Sequence, residues 1–330
     1  MRRREFITLI GSASVAWPLA ALAQQPGRVR RIGVLMSVAE TDPASQSEVA
    51  AFRDALTKLG WTEGGNLRIE LRWGAGDADK IRTLAKELVD LRPDAILGRN
   101  TPVIAALARE TRTIPIVFVL VFDPIGLGLT ESLSHPGGNF TGFTVEDTAL
   151  GSKLMQLLKE IAPRTVRVAL LFNPATSLRL QSYLPSLQAA ASSFAIEASA
   201  APVHERDEIE GVIAAQARKA GGGLVVVPDI FNTTNRDLII ALAARYGLPA
   251  IYFDRKFAES GGLIAYGSDN VEEFRQAAGY IDRILKGAKP ADLPIQQPTK
   301  YELVINLKTA KALGLALSSG LLSIADEVIE

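Results

Sequence analysis

The 330-residue chain contains no cysteine, and its only histidines are His135 and His204. Zinc sites of the Cys/His type, thiol nucleophiles and disulfide frameworks need these residues, so all three are excluded or nearly so. Neither histidine has a second ligand at metal-binding spacing, and we interpret both as loop or surface residues. We therefore expect no metal site.

The chain also lacks net charge and enzyme motifs. Its 36 Lys and Arg residues balance 36 Asp and Glu residues, whereas nucleic-acid binding requires a basic face. No GxSxG, P-loop or HExxH motif occurs, and the glycines at 74–76 and at Gly126 and Gly128 do not complete a nucleotide-binding fingerprint. We expect no nucleic-acid partner, no cofactor and no catalytic residue.

The N-terminus has the pattern of an export signal. Arg2, Arg3 and Arg4 precede an apolar run from Ile7 to Leu22, and a triplet with small residues at its first and third positions ends at Ala23. This pattern predicts a signal peptide over residues 1–23, and polar residues, glycine and proline interrupt the run too often for a membrane span. We expect a periplasmic protein that does not span the membrane. The arginines also resemble a twin-arginine signal, so both export routes stay open.

From residue 31 onward, short β-rich runs alternate with helical patterns, which is typical of parallel sheets with crossover helices. The runs fall into two α/β units, and the segment after 263 is too short for a third domain. We expect that segment to complete both units and to form a multi-strand hinge between them. The predicted domains are lobe 1 at 29–142 plus 267–298 and lobe 2 at 143–266 plus 299–330.

Ligands in open parallel sheets bind outside the carboxyl ends of the strands, so the residues that follow each predicted strand are the candidate site. In the first unit these are Ser37, Glu40, Asp42, Asn100, Thr101, Pro102, Phe122 and Asp123. In the second unit they are Asn173, Asp229, Phe231 and Tyr252. This mixture predicts a cleft for a small polar or zwitterionic ligand whose side chain contacts the aromatic rings.

The segment LGRNTPVIAALA at 97–108 joins a buried strand to a helix. Thr101 suits the N-cap and Pro102 the first turn, and the exposed amides there favour an anion. We expect this helix start to bind a ligand carboxylate, and Asp229, alone or with Asp123, to bind an ammonium group. In the alternative interpretation, Thr101 caps only its own helix.

Several segments together resemble the TrpX-like family of ABC-transporter substrate-binding proteins, from about Arg31 to Glu330. The resemblance is carried by AFRDALTKLGWTEGGNLRIELRW, NTPVIAALARETRTIPIVF, DPIGLGLTESLSHPGGNFTGFT and LKGAKPADLPIQQPTKYELVINLKTAKALGL. It implies a type I periplasmic-binding-protein fold, α/β with two Rossmann-like lobes and three crossovers. It also implies a monomer that closes over a small ligand, such as an aromatic amino acid, and delivers it to an inner-membrane ABC permease.

Arg99 departs from the family pattern, in which a small residue precedes the helix start. If Arg99 points into the cleft, the ligand is more acidic than a neutral amino acid; if it points outward, nothing changes. Two other functions stay open, a sensor that feeds a membrane receptor and an exported α/β enzyme. The missing nucleophile and metal motifs argue against the enzyme.

Overall fold

The computed structural model describes residues 28–145, 150–178 and 180–330, with only the backbone described at Ser182. The predicted signal peptide at 1–23 lies outside the described residues. Within these ranges, no helix combines the length and the apolar character that a membrane span requires.

The first half of the chain forms a parallel sheet of five strands in the order β2-β1-β3-β4-β5. Every residue of β3 and β4 is buried, because helices cover both faces of such a sheet. The elements are β1 (Arg30–Met36), α1 (Pro43–Lys58), β2 (Leu67–Trp73), α2 (Ala78–Asp90), β3 (Ala95–Arg99), α3 (Thr101–Glu110), β4 (Ile116–Val121) and β5 (Phe140–Thr144).

The rest of the chain contributes a sheet of seven strands in the order β12-β11-β10-β9-β8-β6-β7. Its elements are α4 (Leu150–Ile161), β6 (Arg167–Phe172), α5 (Leu180–Ser193), β7 (Glu197–Pro202), α6 (Glu208–Ala217), β8 (Gly222–Val226), α7 (Ile230–Thr234), α8 (Arg236–Arg245), β9 (Ala250–Tyr252), α9 (Arg255–Glu259), β10 (Ile264–Ser268), α10 (Asn270–Leu285), a 3₁₀ turn (Pro290–Asp292), β11 (Tyr301–Asn306), α11 (Leu307–Ala312), α12 (Ser319–Ser323) and β12 (Glu327–Ile329).

Helix α10 belongs to the core of the first sheet, although it follows a strand of the second. Phe274 and Ile281 pack there in one buried cluster with Ile32 and Phe52. We call the five-stranded sheet with its helices lobe 1 and the seven-stranded sheet with its helices lobe 2. The chain passes between the lobes after β5, after β10 and before β11.

One pair departs from the predicted parallel arrangement, because β10 and β11 run antiparallel. Strand β10 ends at Ser268, where the chain leaves for lobe 1, and β11 begins at Tyr301, where the chain returns. Ser268 and Tyr301 are paired in register. The reversal therefore follows from the return of the chain to the end of the sheet that it left.

Aspartates after several strands cap the helices that follow. Asp42 accepts a hydrogen bond from the Ser45 amide at 2.9 Å, and Asp269 accepts one from the Glu272 amide at 3.0 Å. Asp77, Asp229 and Asp254 cap α2, α7 and α9 in the same way. The strand-end carboxylates thus satisfy amides at helix starts, which otherwise lack partners.

Candidate functional site

A cavity of about 910 Å³, part of it open to solvent, lies between the two lobes at the strand ends. Lobe 1 contributes the start of α3 and the end of β4, and lobe 2 contributes the loops that follow β6, β8 and β10. The polar side chains of the lining are Arg99, Asn100, Thr101, Thr176, Ser177, Asp229, Thr233, Ser268, Asn270 and Tyr301. Besides Tyr301, the aromatic residues of the lining are Phe122 and Phe253. The cavity therefore combines polar and apolar walls.

Asn100, at the entry to α3, is held by protein partners. Its Oδ1 accepts hydrogen bonds from Ser37 Oγ at 2.7 Å and Arg99 Nη1 at 2.5 Å, and its Nδ2 donates to the Leu120 carbonyl at 3.3 Å. Asn100 is also the N-cap residue of α3, with φ of 72° and no side-chain cap bond. The prediction that Thr101 is the N-cap is therefore wrong by one residue.

Thr101 is the first residue of α3, and its Oγ1 accepts a hydrogen bond from the Phe122 amide at 3.2 Å. The first intrahelical bond runs from the Ile104 amide to the Asn100 carbonyl at 3.2 Å. The amides of Thr101 and Val103 therefore precede the helical ladder, and Pro102 between them has no N–H. Amides in this position form an anion-binding end of the helix.

Arg99 borders the cavity, but its charge is neutralised inside lobe 1. Its guanidinium binds both oxygens of Glu48, which lies on α1, and both side chains are buried. Burial raises the pKa of the Glu48 carboxyl, and Arg99 opposes this rise. Of the two alternatives predicted for Arg99, the geometry supports the one in which the ligand need not be acidic.

Asp229 lines the lobe 2 wall and is surrounded by donors. It accepts hydrogen bonds from the Asn173 amide at 2.7 Å, the Phe231 amide at 3.0 Å and the Thr176 hydroxyl at 2.5 Å. A carboxylate offers about four acceptor positions, so little capacity remains for a ligand. Burial raises the pKa of Asp229, and the hydrogen bonds oppose this rise. A nearby ligand cation would favour its charged form.

Five of the predicted site residues line the cavity, namely Asn100, Thr101, Pro102, Phe122 and Asp229. The structure places the other predicted residues elsewhere. Ser37 is buried on Asn100, Asp42 caps α1, and Glu40 is exposed. Asp123 accepts from the Gly126 amide at 2.7 Å, and Asn173 donates to the His204 carbonyl at 2.9 Å. Phe231 packs against the lobe 2 core.

The prediction that Tyr252 contacts the ligand is contradicted. Its side chain lies in the lobe 2 core, stacked on Phe257 with ring centroids 4.8 Å apart, and burial raises the pKa of its hydroxyl. Phe253 lines the cavity instead. Neighbouring side chains of a strand point to opposite faces, so a shift of one residue separates core from cleft.

Ser268, Asn270, Pro298 and Tyr301 were missed by the sequence interpretation. They lie where the chain leaves lobe 2 after β10 and where it returns before β11. Asn270 Nδ2 donates to Asp254 Oδ2 at 3.0 Å, which ties the start of α10 to the end of β9. The apolar residues that open the segment after 263 are the available signal, because they form a strand and the strand-end rule applies to its carboxyl end as well.

Among the described residues, the contacts between the lobes include two side-chain pairs besides the Asn270–Asp254 hydrogen bond. The Phe122 ring of lobe 1 meets the Tyr183 ring of lobe 2 edge to face, with centroids 4.6 Å apart. Asp42 of lobe 1 and Arg236 of lobe 2 form an ion pair at 3.7 Å.

In the described part of the chain, no cluster of three or more His, Asp or Glu side chains could hold a metal ion.

Known proteins share both the sequence pattern and the fold. A tyrosine-binding protein of Clostridioides difficile is 25% identical over 271 residues, which are 82% of this chain and 77% of the relative. The structure of an ABC domain from Streptococcus pneumoniae in complex with L-Trp is 25% identical, with a TM-score of 0.84 over 91% of this chain and 99% of that one.

A conserved domain protein of Vibrio cholerae is 26% identical, with a TM-score of 0.85 over 91% of this chain and 100% of that one. The fold is therefore that of the type I periplasmic binding proteins, as the resemblance implies. The model of the family described as ABC transporter substrate binding protein matches residues 31–329. The chain belongs to this family of ABC-transporter substrate-binding proteins.

Proposed function

We propose that this protein captures an α-amino acid with a large apolar side chain and passes it to an inner-membrane ABC permease. One observation carries the proposal. The helix start at Thr101 in lobe 1 and the buried carboxylate of Asp229 in lobe 2 line the same cavity. Similarity to a tyrosine-binding protein and to a structure that holds L-Trp supports the same ligand class.

The two ends of a zwitterion suit these two walls. The amides of Thr101 and Val103, at the positive end of the α3 dipole, would bind the ligand carboxylate. Asp229 would attract the ammonium group through its charge, with the carbonyl oxygens of the cleft completing the hydrogen bonds. Phe122 and Phe253 supply apolar surface for the side chain.

Capture would proceed by closure of the lobes. A ligand that contacts both walls binds the closed form more tightly than the open form, and this difference shifts the population toward closure. The passages of the chain between the lobes would form the hinge, with lobe limits at 29–142 plus 267–298 and at 143–266 plus 299–330. Packing of α10 in lobe 1 and pairing of β10 and β11 in lobe 2 support this division.

The cellular setting belongs to the same proposal. We infer that residues 1–23 direct export to the periplasm by the Sec or the twin-arginine route. The mature protein would act there as a monomer that binds its ligand without converting it. The arginine-rich start, the apolar run and the small residues before Gln24 support export.

Titration calorimetry with L-tyrosine, L-tryptophan and L-alanine tests the proposal. We expect the aromatic amino acids to bind more tightly than alanine, since alanine leaves the apolar wall uncovered. Asp229→Asn should weaken binding about 10-fold, because it removes the charge that attracts the ammonium group, an effect of about 1.4 kcal/mol. Asp237→Asn is the matched control, since the Asp237 side chain is 85% exposed. Equal affinities of the two variants would contradict the role of Asp229.

A further inference from the structure

A second cavity, of about 890 Å³ including its opening, adjoins the first and is lined mainly by apolar side chains. We call it the apolar annex. It shares five lining residues with the first cavity: Phe122, Val145, Leu150, Leu180 and Pro228. The Phe122 and Tyr183 rings, which meet across the lobes, stand at the junction.

The annex extends into lobe 2 between α4, α5 and the sheet. Leu154 and Met155 of α4 and Leu187 and Ala190 of α5 form its sides, and Leu170, Val225 and Val227 form its floor. No charged residue occurs in its described lining, where Ser152, Ser186 and the Tyr183 hydroxyl are the side-chain polar groups. A charged or strongly polar occupant would lose its hydration there without compensation, whereas an apolar one would gain from burial.

We propose that the annex is a second ligand subsite, which receives an extended aliphatic or aryl arm of a ligand whose polar head binds near Thr101 and Asp229. The two cavities share Phe122 in their linings, so an arm that passes this ring from the polar cavity would reach the apolar walls of the annex. The substrate class is therefore a zwitterion with a long apolar arm. The inference rests on the proposed function for the head group.

A homologous series of L-amino acids tests the arm by titration calorimetry, from norvaline and norleucine to 2-aminooctanoic and 2-aminodecanoic acids. We expect the dissociation constant to fall about fourfold for each methylene that enters the annex. Ala190→Phe, which fills the annex, should abolish this gain beyond norleucine. Ala189→Phe is the matched control, since Ala189 is an exposed neighbour on the same helix and does not line the annex. A flat series in the wild type, or an undiminished gain in Ala190→Phe, overturns the inference.

NMR of the methionine methyl groups tests the annex in the wild-type protein, with a ligand that has no polar head group. The sequence contains Met1, Met36 and Met155; Met155 lines the annex, and Met36 lies in the lobe 1 core. Toluene should shift the Met155 methyl signal and leave that of Met36 unchanged, because apolar cavities bind small aromatic molecules. An unchanged Met155 signal overturns the inference.

The two proposals fail in different ways. If no amino acid binds while toluene still shifts Met155, the zwitterionic head is wrong and the annex stands as an apolar subsite. If norleucine and L-tyrosine bind while toluene does not shift Met155, the proposed function stands and the annex inference is wrong.

Discussion

Arg99 and Glu48 form a bidentate ion pair inside lobe 1, with Nε to Oε2 at 2.7 Å and Nη2 to Oε1 at 3.1 Å. Arg99 also donates to Asn100, which begins the helix that faces the cleft. The pair therefore supports the geometry of the helix start while it removes a net charge from the cavity wall.

Loss of Arg99 should destabilise the protein. Arg99→Met leaves the Glu48 carboxylate buried without its cation, and we expect the free energy of unfolding in urea to fall by about 3–5 kcal/mol. The double variant Arg99→Met with Glu48→Leu should recover most of this loss, because no unpaired charge remains. The control is Arg167→Met, which breaks an ion pair with Glu197. The Arg167 and Glu197 side chains are 47% and 74% exposed, so the free energy of unfolding should fall by less than about 1 kcal/mol. Equal losses for Arg99→Met and Arg167→Met would contradict the argument.

Glu273 should make the stability fall as the pH rises. This residue lies in the first turn of α10, and burial raises the pKa of its carboxyl from 4.5 to about 8. Neither oxygen makes a hydrogen bond of ordinary geometry within the described residues. Between these two pKa values the folded protein binds a proton that the unfolded chain has released, so ionisation progressively favours unfolding, by at most about 5 kcal/mol.

The matched variant is Glu273→Gln, which keeps the shape and cannot ionise. Its advantage in unfolding free energy over the wild type should grow from pH 5 to pH 8 and level off at higher pH, as measured by urea titrations across this range. Glu272→Gln, on the neighbour whose side chain is 38% exposed, should not show this trend. A constant difference between Glu273→Gln and the wild type would mean that the Glu273 pKa is not raised.

The pair of Asp42 and Arg236 should stabilise the closed form. Arg236→Met removes this contact at 3.7 Å, and ligand affinity should weaken up to about fivefold, the range of a partly exposed ion pair. Small-angle scattering without ligand should show the open form, in which this pair is apart. The unfolding free energy without ligand should therefore change little. Asp237→Asn is the control, because it removes the other ion pair of Arg236, at 3.5 Å within lobe 2, and keeps both side chains of the cross-lobe pair. Full affinity in Arg236→Met would rule out a contribution from this contact.

Gly267 is required for the close approach of β10 to the end of β9. A Cβ atom at this position would lie 1.7 Å from the Phe253 carbonyl oxygen, so Gly267→Ala must displace one strand at the wall of the cavity. We expect a loss of about 1–3 kcal/mol in unfolding free energy and weaker ligand binding.

Gly279→Ala is the opposite case in helix α10, where an added Cβ meets no atom within 4 Å. Alanine should stabilise this helix by about 0.5–1 kcal/mol, because glycine loses more backbone entropy on folding. Thermal unfolding of both variants checks the pair of predictions. Similar melting temperatures for Gly267→Ala and the wild type would contradict the close approach.

The sequence predicted the strands better than the contacts that their end residues make. The apolar run before Arg99 is correctly interpreted as a buried strand, because a strand covered on both faces needs apolar residues throughout. Thr101, Pro102, Phe122 and Asp229 followed from the rule that ligands bind at strand ends. Tyr252 also lies at a strand end, but its side chain lies in the core. A strand end alone does not tell which of two neighbouring residues faces the cleft.

The sequence by itself determined the α/β class, the family and the edge of the sheets at which the cavity lies, because hydrophobic periodicity and chain order are local properties. Only the tertiary structure decided that Glu48 neutralises Arg99, that Ser268 and Tyr301 meet beside the cavity, and that the apolar annex adjoins it. These relationships join residues that are far apart in the chain, and they depend on how the helices and sheets pack.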